Sequence, residues 1–234
     1  MAAAVRTTAA GGGSTGTSNR TVTIVPAAND LFIVFVVVAA NAQDAPTMTD
    51  DNGSGTYTRI TTQAFASSVP TNYRLSAFVR TALVPNTTST VITATTGSNT
   101  AGELICYAIS GMTKTGISAL QQSAGQAAGG SGTTPAPAFA SACDTTHLVL
   151  GAMANSSTSP IETQPSGWSE EQDTGQSSPT TSIETVSNAS GFTGTTVTWG
   201  ATSGTQFASI IVELDAANPP ATPASRLRMV GHGT

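Results

Sequence analysis

A proton shuttle working at neutral pH in this chain would have to use one of two histidines, His147 or His232, because histidine is the side chain whose ordinary pKa falls between pH 5 and 8. His147 opens the apolar run HLVLGAM, and His232 sits between glycines in RLRMVGHGT. Nucleophilic catalysis needs a nucleophile, a base and an orienting group. Neither histidine shares a turn with an obvious nucleophile, and no G-x-S-x-G elbow occurs. His147 is therefore expected to be a strand-end residue with local hydrogen bonds.

Two carboxylate clusters are the next candidates: Asp50 with Asp51 in TDDNGSG, and Glu170 with Glu171 in WSEEQD. Glycoside hydrolysis sets two carboxyls about 5–10 Å apart across a cleft, whereas adjacent residues of one strand point to opposite faces. Both clusters read first as solvated turns. Asp50, Asp51 and Asn52 also offer hard oxygen ligands to calcium, but they lack the D-x-[DN]-x-[DN]-G spacing of an EF-hand. No P-loop, dinucleotide fingerprint or Cys/His zinc spacing is present, and Gly11, Gly12 and Gly13 read as a flexible run. The expectation is a chain without catalytic, cofactor-binding or metal-binding residues.

Cys106 and Cys143 are too few for a disulfide framework. Each lies in or beside an expected strand and reads as a small buried hydrophobe, with a single bridge as the alternative. Trp168 and Trp199 are the only tryptophans. An exposed indole can stack on a sugar ring, but a strand tryptophan is usually partly buried. Trp199, in TVTWG, is expected in the core; the turn-like PSGW leaves Trp168 open.

These residues must be positioned by strands. Only 9% of the 234 residues are charged, far below the roughly 25% of ordinary soluble domains, so solubility rests on hydroxyls and amides. Threonine, valine and isoleucine suit a pleated sheet. With 23 glycines, 12 prolines and a single lysine, Lys114, the chain lacks the composition of long helices. The class is all-β, and a β-sandwich of this length can be one domain. The net charge of −5 and the scattered arginines, of which Arg226 and Arg228 are the nearest pair, disfavour nucleic acid. The run from Leu31 to Ala40 is half the ~20 residues a spanning helix needs and reads as a buried strand. No secretory leader is recognisable.

Residues 1–19, poor in bulky apolar groups, are expected to be a flexible N-terminal arm. The sandwich is expected over 20–217, with the Gly-, Ala- and Pro-containing stretch 118–138 as a long loop that could separate two halves. Residues 218–234, entered through NPPATPAS, read as an extended tail. The halves echo one another in order: NDLFIVFVVVA and TTHLVLGAMA, STVITATTG and GTTVTWGAT, GELICYAIS and QFASIIVEL. A structural duplication would make the molecule either a pseudo-symmetric jelly-roll-like sandwich or two lobes.

The segment order, with its DL-plus-apolar strand (Asp30 to Val38), DDNGSGTY (Asp50 to Tyr57), SAFVRTAL, TSTVITATT, GELICYAISGM, HLVLGAM, PSGWSEEQ, TVTWG and ASIIVELDAA, resembles a family of Thr-, Ser- and Gly-rich sandwich proteins of tailed bacteriophages and bacterial surfaces. The resemblance covers about Thr21 to Ala217 and implies an antiparallel jelly-roll-type sandwich. In the phage setting it implies a head decoration or cement protein, often trimeric, on the major capsid protein lattice, assembled in the host cytoplasm. It carries over no catalytic residue, so the expectation is a structural virion protein rather than an enzyme. Host-surface glycan binding is the alternative function.

Overall fold

The computed structural model describes residues 2–13, 19–40, 46–66, 72–96, 101–128, 135–157, 163–177, 180–189, 191–200 and 206–216. Among the described residues the chain is all-β, with one short 3-10 turn at Gly116–Ala119. Strands β1 (Ala4–Gly13), β2 (Asn19–Ile24), β3 (Leu31–Ala40), β4 (Thr47–Asp50), β5 (Tyr57–Ala66), β6 (Asn72–Arg80), β7 (Thr90–Thr95) and β8 (Ala101–Ser110) form an eight-stranded sheet in the order β4-β7-β2-β1-β8-β3-β6-β5. Strands β9 (Leu120–Ala128), β10 (Leu148–Asn155), β11 (Ser169–Ser177), β12 (Thr180–Asn188) and β13 (Phe207–Leu214) form a second sheet, β11-β12-β10-β13-β9. Every strand pair is antiparallel.

β3 carries apolar side chains on both faces because it lies between two cores. Leu31, Ile33, Phe35 and Val37 pack with Ile105 and Tyr107 of β8 against Leu148, Leu150, Ile210 and Val212 of the second sheet. Phe32, Val34 and Val36 pack, with Leu104 and Cys106, against Val22, Met48 and Ile92 of β2, β4 and β7. Strands of one sheet thus cover its own face, so the eight-stranded sheet folds over itself at the β1–β2 junction. There, among the described residues, β1 and β2 pair through Gly12 and Thr21. A Cβ on Gly11 would collide with the Thr21 carbonyl, and one on Gly12 with the Glu103 carboxylate, so the approach requires glycine.

The second sheet is covered on its outer face by irregular chain. Phe139, Cys143, Val197 and Trp199 lie over Val149, Met153, Val186 and Ile211. This cover mimics the three-stranded layer of the first half. Phe139 N–H and Val197 N–H bond to Thr195 and Pro137 carbonyls across an Ala138–Thr196 bridge, and Gly200 N–H bonds to the Thr163 carbonyl. In spatial order, β1-β8-β3-β6-β5 corresponds to β9-β13-β10-β12-β11, and 135–139, Thr163 and 195–200 stand where β2, β4 and β7 stand.

Registers agree with this correspondence. Leu31 faces Ile109 as Leu148 faces Leu214. A bulge at Arg6, between Val5 and Thr7 of β1, recurs at Gln121, between Leu120 and Gln122 of β9. A second bulge, at Ile60 of β5, recurs at Glu171 of β11. Bulges are specific structural devices, and two at matching places identify the halves as the same jelly-roll winding used twice, joined face to face across a shared core. The three sequence echoes fall on β3 and β10, β7 and 195–200, and β8 and β13.

Three expectations are corrected. Residues 4–13 are not an arm but strand β1, held between β8 and β2. The stretch 118–138 is not simply a loop: Leu120–Ala128 is β9, paired with β13 along its length. GTTVTWG, read as a strand, is a covering segment with a single bridge. The proposed tail, 218–234, lies outside the described residues.

Candidate functional site

The mouth of the second half holds a cavity of about 410 Å³ lined by Gln121 of β9, Ser141, Ala142, Cys143, Asp144 and His147 of the approach to β10, and Glu213 at the end of β13. Glu213 is its centre. Only 1% exposed, its Oε1 accepts the Asp144 N–H at 2.9 Å and faces His147 Nδ1 at 2.8 Å, while Oε2 accepts Gln122 Nε2–H at 2.6 Å. His147 Nε2 lies 3.6 Å from Asp215 Oδ1, and Lys114 pairs with the same Asp215 carboxylate. Gln122 also donates to the Ser141 carbonyl at 3.0 Å, fixing the loop over the strand.

A thiol, an imidazole and a carboxylate therefore converge, but the electrostatics oppose nucleophilic chemistry. The Cys143 thiol is pushed up to about 12, first by burial and then by the neighbouring Glu213 charge, whereas a reactive cysteine needs its thiolate stabilised. Asp144 is held below the usual carboxylate range by the Thr146 N–H and hydroxyl that its Oδ1 accepts. The arrangement favours acceptance of positive charge over attack on an electrophile.

The same place in the first half is filled. The turn closed by Asp30 N–H on the Ala27 carbonyl matches that closed by His147 N–H on the Asp144 carbonyl. Asp30, 1% exposed, accepts the Ala27 N–H at 2.8 Å and lies with both oxygens 2.9 Å from Arg6 Nε. In the second half His147 replaces Asp30, Gln121 replaces Arg6, and Glu213 takes over the turn's backbone N–H.

His147 is thus at a strand mouth as expected, but its ring faces Glu213 and Asp215 of the distant strand β13 and its exit rather than local partners; His232 lies outside the described residues. Asp50 is not in a solvated turn. It is 7% exposed and is gripped by Arg80, whose Nε lies 2.8 Å from Oδ2, with Tyr57 Oη–H donating to the same oxygen at 2.8 Å. The neighbouring Asp51 caps Val91 N–H at 2.8 Å instead, so the two carboxylates serve separate structural bonds. Glu170 is exposed, while Glu171, at the bulge, bonds to the Ser187 hydroxyl; both belong to β11 rather than to a turn. Cys106 and Cys143 are unbridged and buried in different cores. Trp199 is a core residue whose Nε1–H donates to Ser209 Oγ at 2.9 Å. Trp168 is 8% exposed and packs edge-on against Phe192, centroids 5.4 Å apart. Among the described residues no group of three or more His, Cys, Asp and Glu is arranged to hold a metal ion, and no helix is long and apolar enough to cross a membrane.

Glu213 and Gln122 were not singled out by sequence reasoning. The available signal was a charge inside the apolar run FASIIVEL, since a glutamate on a buried strand needs partners. Comparison with known proteins finds no matching family model, no matching curated protein and no matching solved structure.

Proposed function

We propose that this chain is a structural protein of a tailed-bacteriophage virion that docks on the major capsid protein lattice and stabilises it, as a homo-oligomer with a trimer favoured. The observation that carries this reading is the outward face of β2, β7 and β4. It presents Asn19, Thr21, Thr23 and the following Val25; Val91, Thr93 and Thr95; and Thr47 and Thr49, in cross-strand rows such as Thr49–Thr93–Thr21 and Thr47–Thr95–Asn19. No charged side chain stands in these rows, and Val25 is 62% exposed. The centres of protein–protein interfaces are depleted in charge, and a flat hydroxyl-bearing sheet face repeated in an oligomer gains avidity from many weak contacts. Binding rather than catalysis also agrees with the raised Cys143 thiol. The glycan alternative loses its stacking platform, because Trp168 and Trp199 are both buried.

The test is saturable co-sedimentation of the purified chain with empty capsid-like particles, after its mass in solution has been measured by light scattering. Thr21→Lys combined with Thr47→Lys, two exposed positions that are not cross-strand partners, is expected to abolish co-sedimentation while leaving the circular dichroism spectrum and unfolding midpoint close to wild type. Undiminished binding by that variant, or a monomer that ignores the particles, would overturn the reading.

A further inference from the structure

We infer that the cavity at the mouth of the second half binds a guanidinium group supplied from outside the chain, the counterpart of the one Arg6 supplies within the first half. Such binding is independent of any role in a virion.

In the first half the β1 bulge residue carries the cation, and its Nε lies against a buried carboxylate that also holds the turn. In the second half the turn and the bulge are retained, and the buried carboxylate that holds the turn is Glu213 of β13, while His147 stands at the Asp30 position. The β9 bulge residue is instead Gln121, whose neutral side chain lines an open cavity.

The charge balance of the site points the same way. Asp144 and Glu213 face the cavity, and among the described residues no Lys or Arg lies within salt-bridge distance of either. Lys114 is engaged with Asp215. His147, the one basic group in the lining, has its two ring nitrogens directed at Glu213 and Asp215. Asp144 Oδ1 takes the Thr146 bonds, so Oδ2 lies outside them. Ser141 and Gln121 line the same cavity without adding charge. A planar donor with several N–H groups matches carboxylate acceptors better than a compact ammonium does.

The experiment is a titration of the ¹⁵N-labelled full chain with methylguanidinium, read by amide shifts of Gln121, Asp144, His147 and Glu213. Parallel arms use methylammonium, free L-arginine and N-acetyl-arginine methylamide. Saturating shifts confined to this cluster are expected, with a dissociation constant on the order of 1 mM for so small a ligand, and methylammonium is expected to bind at least about tenfold more weakly. Tighter binding of the blocked arginine than of free arginine would identify a protein side chain as the source; the reverse would identify a free small molecule. Gln121→Arg, which supplies the group in cis, should remove the shifts, and the exposed substitution Asp144→Asn should weaken them about tenfold. Absence of shifts in the wild-type chain, or equal binding by Gln121→Arg, would overturn the inference.

Discussion

The two halves wind the same way but are closed differently, and the difference shows what the shared fold requires and what it leaves free. In the first half β2, β7 and β4 form a regular hydrogen-bonded layer, and the mouth is locked by two ion pairs, Arg6 with Asp30 and Arg80 with Asp50. In the second half irregular chain does the covering, and neither pair survives. The positions of Tyr57 and Arg80 are taken by Trp168 and Asn188, so an aromatic contact with Phe192 stands where a buried charge pair stood. The position of Arg6 is taken by Gln121, and a cavity opens. The shared core between the sheets is common to both, so the fold is set there. The mouths could then diverge.

The likeness of the halves can be broken most severely at β1. Deleting residues 1–13 removes a strand from between β8 and β2, and the expected outcome is loss of the cooperative thermal transition, measured by circular dichroism. A truncated chain that still unfolds cooperatively near the wild-type temperature would restore the arm reading. Next come the two corners. Arg80→Ala strands the Asp50 carboxylate in a buried site and should cost about 3–5 kcal/mol in chemical unfolding. Trp168→Ala at the matching position should cost a similar ~3–5 kcal/mol, by cavity formation. If either proves neutral, that corner does not hold its half.

Cysteine reactivity sharpens the contrast between mouth and core. With its thiol near 12, Cys143 should react with iodoacetamide at pH 8 roughly a thousandfold more slowly than a free cysteine. Cys106, fully buried, should react only on global unfolding. Rapid labelling of Cys143 would mean that the mouth is organised for nucleophilic chemistry after all.

The smallest effect concerns Glu103 on β8, whose carboxyl is raised above the usual range, chiefly by burial, against the opposing influence of the Thr174 hydroxyl and Arg20. A carboxyl raised in the folded state favours folding when protonated, and that contribution is lost as pH rises through the folded pKa. Glu103→Gln should therefore gain stability relative to wild type as pH rises from the ordinary glutamate range through the raised value. Denaturant midpoints at several pH values would show this, and a difference of the opposite sign would mean that Arg20 and Thr174 outweigh burial.

The fold was most legible where branched apolar residues run together. β3, β8, β10 and β13 stand out as LFIVFVVVAA, ELICYAIS, LVLGAMA and FASIIVEL, and their repeated order disclosed the duplication. β1 and β9 were illegible because AVRTTAAGGG and LQQSAGQAA are built from small residues, and the reason for those residues is a long-range approach. Gly11 and Gly12 make room for Thr21 and Glu103, and Gly125 makes room for the Gln63 side chain of β5. These neighbours come from other strands, which composition does not pair. The candidate site was half legible: His147 marked a strand mouth, but its relation to Glu213 and Gln121 depends on pairing β9 with β13, which no local pattern reveals.

Two copies of one winding share one core, with a regular cover on the first and an irregular cover on the second. Native-state hydrogen exchange on the full chain tests this most directly. The expected result is that β3, β8, β10 and β13 exchange together at the global unfolding free energy, that β2 and β7 remain protected nearly as long, and that residues 191–200 open earlier. Early, separate exchange of β10 and β13, with β3 and β8 still protected, would show that the halves do not share a core and would contradict that organisation.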